Sequence, residues 1–301
     1  MIQYVRIINI KECDKMNSDI KSLKLRNMPM GKLIFSMSLP AIFSMLIQAL
    51  YNIVDTMYIS NYDTTGNGVV ALGYAFIIQT IVLALALGVG IGANILISRK
   101  LGEGNQEEAS NIARTSLIMS IVVGVVIMLC GFFIPKWFMR ASSGVEVVQT
   151  YGIEYLEIIM FVCIFMMIEI NLSKMLQSMG RMIIPMISQL VGAIVNIVLD
   201  PIFIFDLEMG IKGAAIATVL GQFAAFAIVF IYVLTHKLDV DLNFKNYKFN
   251  LVDVKNTFFS GIPTIIMNSL SAIINIILYL LINLIIEGMK KYVYCSTSTN
   301  C

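Results

Sequence analysis

Six long stretches of this 301-residue chain carry no charged side chain, and they limit its folds more than any other feature. They lie between Lys32 and Asp55 (22 positions), Asp63 and Arg99 (35), Arg114 and Lys136 (21), Arg181 and Asp200 (18), Lys212 and Lys237 (24), and Lys255 and Glu287 (31). A helix needs roughly 20 apolar residues, at about 1.5 Å each, to cross about 30 Å of hydrocarbon. All six qualify on length. A seventh stretch, from about Val147 to Leu172, is broken by Glu154, Glu157 and Glu169 and is charge-free only from Ile158 to Ile168. Barrel strands are about ten residues long and alternate in polarity, whereas these runs are apolar on every face. Only 13% of the residues are charged, about half the share that wets a soluble domain, and the mean hydropathy is +0.84. The expected fold class is all-α integral membrane, with about seven transmembrane helices.

Seven spans make the loops alternate between two sides. One side collects 16 of the Lys and Arg residues, including Arg6, Arg26, Arg99, Arg181 and Lys245; the other collects 5: Lys136, Arg140, Lys212, Lys290 and Lys291. Positive residues stay cytoplasmic, so the expected location is the cell inner (plasma) membrane, multi-pass, with a cytoplasmic N-terminus. Some thirty mostly polar residues precede the first apolar run, and no small-residue cleavage site follows it, so no cleavable signal is expected. Cys13, Cys130, Cys163, Cys295 and Cys301 form no CxxC pair and are odd in number, so no disulfide or metal framework is legible.

Internal repetition is a further clue in a membrane chain. With Pro40 placed over Pro263, Ser38-Leu39-Pro40-Ala41-Ile42 falls on Gly261-Ile262-Pro263-Thr264-Ile265, and Asn52-Ile53-Val54 falls on Asn275-Ile276-Ile277. The first and seventh spans then begin two parallel units. This divides the chain into a cytoplasmic tail (1–30), a six-helix lobe (31–236), a cytoplasmic inter-lobe loop (237–254), the first helix of a second lobe (255–286) and an aberrant polar tail (287–301). A full repeat needs about twelve spans, so a truncated or frameshifted second half is expected.

Ionisable groups at membrane depth are costly, by a few kcal/mol or more, and mark function by default. Asp55 lies a few residues before the loop at Asn61, Asp200 lies six before Asp206, and Thr218 lies six after Lys212. At 1.5 Å per residue they share one level, about 9 Å below the same surface. Asn196 sits one turn from Asp200 on the same helix face. Two carboxylates, an amide and a hydroxyl suit a small hard cation or a shared proton; alternatively, the two aspartates cap helix ends near the headgroups. Pro40 either kinks the first span or occupies its first turn. Glu154 and Glu157 either face a cavity that attracts cations or stand on the outer rim. Gly88, Gly90 and Gly92 read as close helix packing. The twenty methionines either line a pliable pocket or pack against lipid.

The segments Leu39-Pro40-Ala41, Tyr51 to Thr56, Ser98 to Asn105, Met179-Gly180-Arg181, Asn196 to Pro201 and Gly210 to Thr218 together resemble the multidrug and toxic-compound extrusion (MATE) family over about residues 30 to 285. The resemblance implies a twelve-helix antiporter of two six-helix lobes that exchanges Na⁺ or H⁺ for amphipathic, often cationic drugs. It assigns the cation site to Asp55, Asn196, Asp200 and Thr218, and a bending role to Pro40. Any metal would be Na⁺ at that site, and no cofactor or nucleic acid is expected. The expected partners are the lipid bilayer, small drugs and, for a working half-protein, a second copy as a homodimer. This chain departs from the family in lacking most of a second lobe, and in a seventh span free of charge. A non-functional membrane remnant and a lipid-linked oligosaccharide flippase are the alternatives, although these spans lack the Lys and Arg a flippase cavity would use. The seventh span holds no lysine for a retinal Schiff base. His236 is the only histidine and no nucleophile–base pair is visible, so an enzyme is not expected.

Overall fold

The computed structural model describes residues 29–247 and 249–297, and among these it is helical with no strand. Seven long helices are present: α1 (Met30–Tyr62), α2 (Asn67–Gly102), α3 (Gln106–Cys130), α5 (Glu146–Ser178), α6 (Ile183–Pro201), α7 (Ile211–Thr235) and α8 (Leu251–Thr297). A short helix, α4 (Ile134–Ser142), lies between α3 and α5. Five segments are long and apolar enough to cross a membrane: Ile34–Tyr62, Asn67–Gly102, Gln106–Cys130, Ile183–Asp206 and Ile211–Thr235. The stretch broken by glutamates lies in α5, whose 33 residues extend about 50 Å, and it is not among these five segments. This is an all-α, multi-pass membrane protein.

The helix ends follow local chemistry. Asn105 caps α3 by accepting from the Glu108 N–H at 3.1 Å, and Glu107 and Glu108 complement the helix dipole in the first turn. Gly104 and Gly180 turn the chain at φ +78° and +71°, a region that side chains disfavour. At Pro201 the α-helical pattern gives way to a π turn over Ile202–Asp206, in which the Leu207 N–H reaches the Ile202 carbonyl at 2.9 Å.

Small residues set the packing, as expected where lipid gives helices no hydrophobic incentive to associate. Ala71, Ala75, Ala84, Ala86 and Ala93 of α2 and Ala214, Ala215 and Ala217 of α7 are buried. Gly88 and Gly92 indeed serve packing. A Cβ on Gly92 would collide with the Thr257 carbonyl, and one on Gly261 with the Gly88 carbonyl, so α2 and α8 cross backbone to backbone.

Two sequence-derived boundaries move. The seventh helix does not run over 255–286: it starts at Leu251, where Asn250 Oδ1 accepts from the Val252 N–H at 3.0 Å, and it continues to Thr297. The tail assigned to 287–301 is therefore helical through residue 297, no proline interrupting it there, and residues 298–301 lie outside the described residues, as do residues 1–28 of the N-terminal tail. The connecting loop ends at residue 250. It is strapped along one face of α3: Gln106 Nε2 donates to the Asp239 carbonyl at 2.5 Å, and the Asp241 N–H donates to Ser110 Oγ at 2.8 Å. Arg114 pairs with Asp241 at 3.2 Å, Thr115 meets the Tyr247 hydroxyl at 3.3 Å, and Asn111 Nδ2 donates to Asp253 at 3.0 Å.

Candidate ion site and central cavity

Glycines bring the site together. On α6 and α7, Gly192 and Gly221 face each other so closely that a Cβ on either would sit 2.6–2.9 Å from the other's carbonyl oxygen. One turn past Gly192 comes Asn196, and three residues before Gly221 comes Thr218. Asn196 Nδ2 consequently donates to Thr218 Oγ1 at 3.4 Å and to Asp200 Oδ1 at 3.2 Å. Asp55, from α1, stands within electrostatic range of Asp200. All four residues are buried: Asp55 is 2% exposed, Asn196 3%, Asp200 0% and Thr218 5%. Neither aspartate caps a helix at a headgroup boundary, because α1 runs seven residues past Asp55 and the π turn carries the chain on from Asp200.

Three oxygens in this cluster have no donor. Asp55 Oδ1, Asn196 Oδ1 and Asp200 Oδ2 are buried without a hydrogen-bond partner. A buried polar atom left unpaired costs about 1–3 kcal/mol, and two facing carboxylates add repulsion. The donor set is all oxygen, from carboxylate and amide, which is the chemistry of a hard cation or of protons shared between acids. Among the described residues no three His, Cys, Asp or Glu side chains converge, so the set offers nothing to a soft transition metal.

Tyr155 of α5 went unnoticed in the sequence, yet it belongs to the site. Its side chain is 1% exposed, and Thr218, Asp55, Asp200 and Tyr51 all lie within interaction range of its hydroxyl. No spacing rule marks a tyrosine inside an interrupted span. Asn196 and Thr218 also line a cavity of about 140 Å³ between α1, α2, α5, α6 and α7. Its walls are amide-rich, with Gln48, Asn52, Gln79, Gln189 and Gln222, and Glu169 is its acid. Glutamines recurring in charge-free runs were the available signal.

Glu154 lines neither this cavity nor the outer one. It pairs with Lys212 at 3.0 Å, at the end of the bundle where α6 turns into α7. Glu157 pairs with Lys136 of α4 at 3.1 Å and lines a separate outer cavity of about 430 Å³ with Phe132 and Phe161. Each glutamate pairs with a lysine, and neither joins the polar center. Pro40 lies ten residues into α1, not in its first turn, and the helix continues through it. Its carbonyl accepts from Ser44 Oγ at 3.0 Å.

A MatE family model matches residues 40–202, more than half of the chain. The chain belongs to the MatE family. The multidrug export protein MepA of Staphylococcus aureus (strain MRSA252) is 25% identical over 252 residues, which are 84% of this chain and 56% of that protein. A crystal structure of MATE in the bent conformation matches with TM-score 0.75 and 28% identity, covering 81% of this chain and 55% of that one. A transporter of the MOP superfamily from Pyrococcus furiosus Vc1 (DSM3638), whose binding pocket is described as reversed in polarity, matches with TM-score 0.74 and 27% identity over 78% and 52%. This MatE chain thus spans about half the length of the relatives it matches.

Proposed function

We propose that this chain forms the ion-coupled lobe of an antiporter that exchanges Na⁺ or H⁺ for amphipathic, cationic drugs at the cell inner membrane, with its N-terminus cytoplasmic. The observation that carries the reading is the trio of donorless oxygens on Asp55, Asn196 and Asp200, buried with Thr218 in one cluster. A cation entering this cluster relieves the repulsion between the carboxylates and satisfies all three oxygens. It also ties α1, which carries Asp55, to α6, which carries Asp200. The same α1 contains Pro40, whose missing N–H leaves one helix hydrogen bond unmade. Ion occupancy therefore biases α1 between straight and bent forms. Drug and ion compete for one lobe because Asn196 and Thr218 serve both the cluster and the cavity.

The test is thermal unfolding of the purified chain, with Na⁺ replacing choline at constant ionic strength and, separately, across acidic pH. A ligand at about 100 times its Kd stabilises by about 2.7 kcal/mol. The wild-type midpoint is expected to rise with one of the two ions, and Asp55→Asn and Asp200→Asn to abolish that rise. A wild-type midpoint indifferent to both ions overturns the reading.

A further inference from the structure

Glu169 takes no part in the ion cluster, and its surroundings give it a different task. It sits within α5, nine residues before the end of that helix, and is 3% exposed. Its carboxylate accepts from Ser173 Oγ at 2.8 Å and from Gln189 Nε2 at 3.3 Å. Among the described residues it makes no ion pair; Lys174, five positions on, donates instead to Gln177 Oε1 at 3.2 Å. Lys174 stands within electrostatic range without closing a pair, and an acidic side chain at membrane depth that lacks a direct ion pair is costly and marks function.

The cavity beside it supplies the rest of the case. No lysine, arginine or histidine lines that cavity, and the Oε1 of Gln79, on its α2 wall, is buried without a donor. The space thus combines one acidic group with a spare hydrogen-bond acceptor, and it suits a ligand that is both cationic and rich in N–H. Its volume of about 140 Å³ is under half the lower bound of roughly 300 Å³ for sites that enclose a whole drug. It admits the head of a ligand and leaves the apolar body elsewhere.

We propose that this cavity receives the protonated primary or secondary amine of an exported compound, with Glu169 as counter-ion and Gln79 as acceptor. Quaternary ammonium heads, which carry no N–H, leave Gln79 unsatisfied and are discriminated against. The assignment rests on the export reading, since it names the class of compound exported.

Calorimetric titration of the purified 301-residue chain with benzylamine and with benzyltrimethylammonium, at one ionic strength, tests it. Benzylamine is expected to bind at least tenfold more tightly than its quaternary analogue. Glu169→Gln is expected to lose at least tenfold for benzylamine, Gln79→Leu several-fold, and Glu154→Gln, whose side chain lies outside the cavity, nothing. Equal affinity of the wild type for the two compounds overturns the proposal whether or not any variant folds, and so does failure of benzylamine to bind. Retained affinity in Glu169→Gln overturns it as well. The Na⁺ and acid dependence of the unfolding midpoint, measured on the same preparations, separates the outcomes: ion-dependent stabilisation without amine selectivity removes this proposal and leaves ion coupling standing.

Discussion

At the scale of single residues, the polar center trades stability for ion binding. Asp55 and Asp200 are buried within electrostatic range of each other, and each has an oxygen with no donor. Asp55→Asn removes one of the two like charges. In ion-free buffer it should stabilise the protein by about 1–2 kcal/mol, the scale of one relieved buried polar group. Thermal unfolding checks this, and a destabilised Asp55→Asn would show that the two carboxylates are not strained against each other. The sequence made much of this center legible. Helical rise placed Asp55, Asp200 and Thr218 at one depth, and the four-residue interval put Asn196 beside Asp200. Rise and interval describe one helix at a time, so they said nothing of which faces meet. Tyr155 and the cavity position of Glu169 depend on how α5 is turned against α7 and α6, and that is set by packing alone.

The next scale is that of helices and their contacts. The glycines of α2 read as packing residues from the sequence, but their partner did not. That partner is α8, and the crossing places Gly92 on Thr257 and Gly88 on Gly261 and Ile265. A methyl group at Gly92 meets backbone, which cannot rotate away. Gly92→Ala should therefore cost about 1–3 kcal/mol, the usual penalty of overpacking, and Gly261→Ala a similar amount. Gly102→Ala, whose added methyl meets nothing within 4 Å, should be neutral. Unfolding midpoints of the three variants decide it; equal midpoints would mean that α2 and α8 do not hold this crossing in the membrane. Two other elements escaped the sequence for physical reasons. Helix α4 is nine residues long, too short for a hydropathy run to reveal. The π turn after Pro201 changes the hydrogen-bond step without changing composition.

At the scale of the whole molecule the Lys and Arg residues gather at one end of the bundle, and that asymmetry predicts a cytoplasmic N-terminus. The turn at 143–145 lies at one end and residues 236–250 at the other. With its five native cysteines replaced by serine, Ser143→Cys should react with a membrane-impermeant maleimide added to intact cells. Asp239→Cys should react only after the membrane is opened. The reverse pattern would invert the topology and place the ion cluster near the cytoplasm. Charge counting predicts an orientation because lysine and arginine sit in loops whose order the spans fix. How the loop after α7 lies against the bundle was not legible, since its contacts are polar and scattered over Asp239, Asp241 and Tyr247.

That strap has a mechanical consequence. Five residues of α3, from Gln106 to Thr115, hold the segment that leads into α8, and the last of those ties reaches Asp253 on α8 itself. A linker held this way has no slack. It acts as a lever arm clamped at both ends, so that α8 cannot swing away from α2 without either dragging the start of α3 or tearing the strap loose one hydrogen bond at a time.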